Sequence, residues 1–327
     1  MRVRNQLSVV AALVLAAGIF TAQRAQAQLP LDDLMVHLDA GAINPLDQTT
    51  EVRISGDTFV KSWLDQAAGD GADHADQSNG DDQPKYIASA VNGEPALEFS
   101  NSGNNHLDIV DRADLNPGTG GYSVFMVLKM NNLTGNNFFL HKGNHGASQS
   151  SLMLWQNAPR GDRENGDDQA FPGTGRPSMF NTQLNDQEDG GDGRVIERIA
   201  ADTNWNIHSA VLDGSTINGY LNGDDSGVRG FYANGDYSSG GPPVDTSLTP
   251  LRIGNSNVTG GDSPLDGMIA EVAIYDVALS LGARLAIEQE LGTKYGISVV
   301  PEPTTWLLLI MGTAGMATVV RRRRRRE

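Results

Sequence analysis

Short apolar runs separated by Gly, Asn and Asp fill the middle of the chain, and several alternate apolar and polar positions with the period of two that half-buried strands require. Val124, Met126, Leu128 and Met130 keep that phase, and Ile269, Val272 and Ile274 keep it with one break that predicts a β-bulge. The pattern predicts strands over 35–39, 59–64, 86–88, 96–99, 107–110, 123–130, 138–141, 152–155, 195–199, 207–212, 217–221, 251–253 and 268–275. So dense a series predicts an all-β, two-sheet sandwich. Tyr220-Leu221-Asn222-Gly223-Asp224 predicts a tight turn, because Asn-Gly supplies the positive φ angles of a primed hairpin. No repeat of fixed period is visible. One C-terminal segment, 281–295, reads as a helix with Ser280 as N-cap and Gly296 as its stop. Leu281, Leu285, Ile287, Leu291 and Tyr295 fall within roughly one 160° face expected to pack on the sandwich, leaving Arg284, Glu288 and Lys294 to water.

Two longer apolar stretches stand outside this pattern. Leu7 to Phe20 follows Arg2 and Arg4 and precedes Ala25-Gln26-Ala27, a small-residue processing site before Gln28, which predicts a secretory signal peptide over residues 1–27. At the other end, Val300 and the triplet Pro301, Glu302 and Pro303 lead into an uncharged run from Trp306 to Val320 and then six arginines, Arg321 to Arg326. Those fifteen residues rise by roughly 22 Å as a helix, short of the roughly 30 Å hydrocarbon core. Thr304, Thr305 and the snorkelling stems of Arg321, Arg322 and Arg323 complete the span. Six cations beside a membrane segment hold that end in the cytoplasm, so the triplet and everything before it lie outside. The expected division is a signal peptide at 1–27, one body at 28–299 and a membrane-spanning tail at 300–327.

Charge then narrows the function. Setting aside Arg2, Arg4, Arg24 and the six tail arginines, with Glu302 and Glu327, leaves 15 basic against 38 acidic residues, a body of about −23. Such a body repels nucleic-acid phosphates and anionic lipid, so nucleic acid is excluded as a partner; cations and neutral sugars are compatible with it. The absence of cysteine excludes thiol chemistry, iron-sulfur clusters and cysteine zinc sites.

Catalytic constellations are absent from the pattern. No Glu-x-Asp-x-Glu run places two carboxylates on one strand face, and no Gly-x-Ser-x-Gly elbow occurs. Glu271 and Asp276 read as a strand-edge charge and a turn-proximal carboxylate. His141 and His145 have a helical zinc spacing, but Gly143 and Gly146 break the helix it needs. Asp186, Glu188, Gly191, Asp192 and Glu197 occupy positions 1, 3, 6, 7 and 12 of a calcium-type loop, with Gly190 where an oxygen ligand belongs. The acidic stretches 70–82, 162–168, 224–225 and 262–266 offer alternatives. Of the tryptophans, Trp155 is the candidate to stack on a sugar ring, since Gln156 and Asn157 beside it could donate to hydroxyls.

Two resemblances carry further. Pro301-Glu302-Pro303, the span from Trp306 and the arginine cluster resemble the PEP-CTERM sorting signal of Gram-negative bacteria. This implies an exosortase-type processing enzyme as partner, a transient stay in the inner membrane, and delivery to the cell surface or an exopolysaccharide matrix. The run from Asp266 to Ser280, the helix after it, Lys294-Tyr295-Gly296-Ile297, and the upstream His37-Leu38-Asp39-Ala40, Ser62-Trp63-Leu64-Asp65 and Gly219-Tyr220-Leu221-Asn222-Gly223 resemble a laminin-G-like, concanavalin A-like domain over about 35–297. That resemblance implies a jelly-roll sandwich that binds extracellular polysaccharide or a surface protein, often with Ca2+, and only sometimes catalyses. The expected function is a non-catalytic binding domain; the alternatives are a polysaccharide-degrading enzyme of the same fold and a structural matrix filler.

Overall fold

A computed structural model describes residues 29–67, 73–100, 104–115, 121–135, 137–143, 151–157, 179–186, 193–200, 202–213, 216–224, 249–257 and 263–300. The predicted signal peptide and the tail from Pro301 onward lie outside them. Among the described residues no helix is long and apolar enough to cross a membrane.

The strands are β1 (Leu34–Asp39), β2 (Val52–Ser55), β3 (Asp57–Val60), β4 (Ser62–Trp63), β5 (Ala75–Asp76), β6 (Lys85–Val91), β7 (Glu94–Phe99), β8 (Leu107–Ile109), β9 (Tyr122–Met130), β10 (Asn137–Lys142), β11 (Ser151–Asn157), β12 (Met179–Asp186), β13 (Gly193–Ala200), β14 (Trp205–Asp213), β15 (Thr216–Leu221), β16 (Leu251–Ile253) and β17 (Gly267–Tyr275), followed by the helix α1 (Leu281–Tyr295). One sheet runs β15-β14-β9-β17-β7-β6-β3-β2, with β1 also on β17; the other runs β13-β12-β11-β10-β16-β8-β5-β4. All the described pairings are antiparallel. The expected all-β sandwich with one terminal helix is what the chain forms.

Inward side chains of the two sheets meet in one apolar cluster: Val124, Met126, Leu128, Ile269, Val272 and Ile274 from the first sheet face Phe139, Leu140, Leu152, Leu154, Leu251 and Ile253 from the second. A second cluster lies on the outer face of the first sheet, where Phe125, Val127, Ile207, Ala273 and Tyr275 pack beneath Ile287, Leu291 and Tyr295 of α1. The central strand β9 is therefore buried on both faces, beyond the half-burial its alternation predicts. Its apolar-in, polar-out pattern survives only weakly because Phe125 and Val127 occupy the outward positions that α1 covers.

Three expectations need correction. The single strand read over 59–64 is two strands in different sheets. Val60 and Trp63 both point into the core although they are three residues apart, so a straight strand would expose one of them. The chain turns at Lys61 instead, whose amide and that of Ser62 both donate to Glu51 O. Next, β12 lies between the strands predicted at 152–155 and 195–199, where none was expected; its polar sequence carries no apolar alternation, and the ladders to β11 and β13 alone define it. Finally, Ile287, Leu291 and Tyr295 of α1 pack inward as expected, but the buried face also takes in charged residues read as solvated. Arg284 and Glu288 are 1% and 0% exposed while Leu281, at the first turn, is 49% exposed. Glu288 accepts two hydrogen bonds from Arg284 Nη1, at 2.9 and 2.8 Å, and one from Ser209 Oγ of β14. The Arg284 guanidinium in turn lies 3.6 Å over the Tyr220 ring, so the buried pair is satisfied on every side.

The core also holds a titrating group. His208 of β14 meets the Phe139 ring edge-on at 6.1 Å, and complete burial lowers its pKa to about 4. An unfolded histidine takes up its proton near pH 6.5 while the native one does not, so stability falls as pH drops from about 6.5 to about 4. That interval corresponds to roughly 3 kcal/mol. Urea unfolding of wild type and His208→Leu across pH 7 to 4 is expected to show the wild type losing about that much more than the variant over this window; parallel losses would refute the assignment.

Candidate functional site

The most connected polar cluster among the described residues sits where β1, β17 and the end of α1 converge. It originates in the backbone. The register of β17 shifts between Ile269 and Glu271, and there the strand changes neighbour along one edge: Gly267 to Ile269 pair with β7, Glu271 to Tyr275 with β1. Ile269 and Val272 remain in the inner core, while Ala270 packs in the outer cluster and Glu271 reaches the α1 side. The sequence predicts the break, but not that it buries Glu271. The residue read as a strand-edge charge is 3% exposed near the middle of the first sheet.

Both carboxylate oxygens of Glu271 are occupied. His37 Nε2 donates to Oε1 at 2.8 Å, and Lys294 Nζ and Tyr295 OH donate to Oε2 at 2.7 and 2.6 Å. Lys294 Nζ also donates to Asp39 Oδ2 at 2.7 Å, and Gly41 N donates to Asp39 Oδ1 at 2.7 Å. Burial alone pushes the Glu271 carboxyl up, but the His37 hydrogen bond and the Lys294 charge outweigh it and hold the group below the usual glutamate range. Burial likewise opposes the Lys294 charge, yet Glu271 and Asp39 keep its pKa above the ordinary value. The Tyr295 phenol is held up by burial and then by the Glu271 charge. Glu290 also rises, through burial and the same neighbouring charge.

Beside this cluster a hollow of about 340 Å3 is walled by Leu29, Leu31, His37, Asp39, Gly41 and Gln66. Donor atoms of His37, Asp39 and Glu271 lie within 4.8 Å of one another, a spacing that could hold a metal. Lys294 already fills the cation position between the two carboxylates, and an imidazole is a poor calcium ligand, so this donor set does not fit Ca2+.

The sites expected from sequence fall elsewhere. Asp186 ends β12 opposite Gly193, whereas Glu197 pairs with Thr182, four residues further along the ladder. That is roughly 13 Å of strand, so the backbone does not bring the first and last positions of the expected calcium loop together. Glu188 and Asp192 lie outside the described residues, as do Pro301, Glu302, Pro303, Trp306, Arg321, Arg322 and Arg323. Trp155 stands in β11 opposite Phe138 and Asn181. Its expected helper Gln156 is buried and accepts from Asn137 Nδ2, so that amide oxygen faces inward rather than toward a sugar. Trp63 is wholly in the core. His141 is buried in β10 with Nδ1 accepting from Asn257 N at 2.7 Å. His37 and Asp39 were visible only as pieces of a family resemblance, since nothing local announces a contact 234 residues away.

Removing Lys294 tests the cluster. Lys294→Met leaves two buried carboxylates uncompensated, and the expected loss is about 3–5 kcal/mol at pH 7 by chemical denaturation. Glu271 stabilises the fold above its unfolded pKa, near 4.3, and that contribution is lost as pH falls through the lower native value; Lys294 stabilises below about 10.4 and is lost as pH rises through the higher native value. The variant should therefore lose less than wild type on acidification, because protonating Glu271 now relieves repulsion. Equal acid losses would show that the pair is not coupled.

Comparison with known proteins follows the same lines. The family described as the concanavalin A-like lectin/glucanases superfamily matches residues 101–282, and the PEP-CTERM protein-sorting motif matches 299–325. No curated protein matches the chain. Among solved structures, it is similar to domain 4 of AbnA, a GH43 extracellular arabinanase from Geobacillus stearothermophilus, in complex with arabinotriose: 16% identity over 76% of this chain and 95% of that one, TM-score 0.38. A GH54 α-L-arabinofuranosidase gives 14% identity over 73% of this chain and 52% of that one, TM-score 0.46. The botulinum neurotoxin serotype C1 binding domain gives 8% over 80% and 52%, TM-score 0.44. The chain thus spans about half the length of the latter two. The sorting motif marks the protein for export and implies processing by an exosortase. With its two antiparallel sheets and a family match over more than half its length, the chain belongs to the concanavalin A-like lectin/glucanases superfamily.

Proposed function

We propose that this protein is delivered to the surface or extracellular matrix of a Gram-negative bacterium, where its sandwich binds glycan or protein without catalysing a reaction. One observation carries the non-catalytic part: the buried glutamates among the described residues already have structural partners. A glycosidase needs one carboxyl kept protonated as acid and a second free to act as nucleophile or base. Glu290 and Glu271 are the pair whose pKa values are pushed apart in that sense. Glu271, however, is only 3% exposed beneath α1 and already holds three donors at 2.6 to 2.8 Å on its two oxygens, a partnered and solvent-shielded carboxylate rather than one open to a sugar. Glu288 is held in the same way by Arg284 and Ser209.

The test is incubation of the 28–300 fragment with the host's own exopolysaccharide. Retention of the polymer at unchanged chain length is expected. Shortening of the polymer, abolished by Glu290→Gln, would replace this reading with a hydrolase; neither retention nor shortening would leave a structural filler. Running the retention assay with and without chelator reports on the calcium that the acidic loops and the resemblance lead one to expect.

A further inference from the structure

The body ends in a strap whose last residues already belong to the sorting motif. After α1, Gly296 adopts φ +67° as the C-cap, and its amide and that of Ile297 both turn back to Gly292 O. The chain then runs over two residues that lack side chains. A Cβ on Gly292 would come within 2.7 Å of Val299 Cγ2, and one on Gly223 within 2.7 Å of Val299 Cγ1. Val299 is thus a knob in a slot made by two glycines, one on α1 and one in the turn after β15. Val300 N closes the strap by donating to Asn222 O at 2.9 Å.

The anchor is rigid. Asn222 N donates to Ile207 O, Asn222 Oδ1 accepts from Ile207 N, and Asn222 Nδ2 donates to Asn206 Oδ1, so the turn is tied to β14 at three points. The matched motif begins at residue 299, which means its first two residues are folded into the body and Pro301 follows directly. Enzymes that cut or transfer peptides take several residues on each side of the reacting bond as an extended strand, using the backbone groups of that segment. Here one such group, Val300 N–H, is already bonded, and a single residue spans at most about 3.6 Å. No spacer separates the motif from the sandwich.

We propose that the slot between Gly223 and Gly292 gates processing: Val299 and Val300 must leave it before the membrane-bound processing enzyme can engage Pro301-Glu302-Pro303, so the folded body sets the rate of tail removal. This rests on the reading that the tail is processed. The enzyme sees only the fraction of molecules with the strap released, and its apparent rate scales with that fraction.

The chain has no cysteine, so a lock can be introduced cleanly. A Cβ at position 292 also meets Ile297 O at 2.7 Å and loosens the strap by itself, so the reference is the same variant reduced: in membranes from the host, full-length Gly292→Cys/Val299→Cys is expected, once oxidised, to lose its tail about tenfold or more slowly than in reductant. Val299→Ser, which weakens the knob, is expected to lose its tail faster than wild type. Intact mass follows the tail, and hydrogen exchange at Val300 with the melting temperature confirms that each body is folded. An oxidised lock processed as fast as its reduced form overturns the gate while leaving the sorting reading intact. A wild type that keeps its tail, indistinguishable from Glu302→Ala, overturns the sorting reading and the gate together.

Discussion

The outer layer of this protein depends on one carboxylate that should not be where it is. At the break in β17, Glu271 reaches the side of the sheet covered by α1, and its charge is tolerable only because His37 of β1 and the neighbours Lys294 and Tyr295 at the end of α1 converge on it. A buried ion pair of this kind adds little net stability against an apolar substitute. What it supplies is position. The end of α1 has one place on the sheet where Lys294 can reach both Asp39 and Glu271. Arg284, Glu288 and Ser209 fix the first half of the helix in the same way.

That placement decides which surfaces remain for function. With α1 over it, the middle of the first sheet has no open face, and β9 is buried on both sides. The segments that leave the body share this layer: Leu29 is buried in the outer cluster, Pro30 O accepts from Tyr275 OH, and Val299 packs against the same cluster at the other end. The cap, the strap and the polar cluster thus form one connected unit. A change in how α1 sits would be felt at both chain ends, because Gly292 and Tyr295 belong to the same turns that hold Val299 and Glu271.

Legibility differed by element for physical reasons. Strands such as β9 and β17 were readable because their inward positions keep a period of two, even where α1 lets apolar residues fill the outward ones. The Asn222-Gly223 turn was readable too, and both residues do adopt positive φ, at 53° and 83°. By contrast β12 was not, because a strand covered by partners on both edges needs no apolar stripe to persist. Glu288 and Arg284 were misplaced into water for the opposite reason: charged residues on a helix are normally solvated, and only a partner such as Ser209, 79 residues away, reverses that.

The sequence alone determined the class of fold, the order of most strands, the helix with both its caps and the sorting tail, because period, turn chemistry and end signals are local properties. Tertiary structure decided which carboxylates are buried, which cation neutralises them and where the strap lodges. Those outcomes depend on groups from opposite ends of the chain meeting at under 3 Å, as Lys294 meets Asp39 at 2.7 Å, and no local pattern records such a meeting.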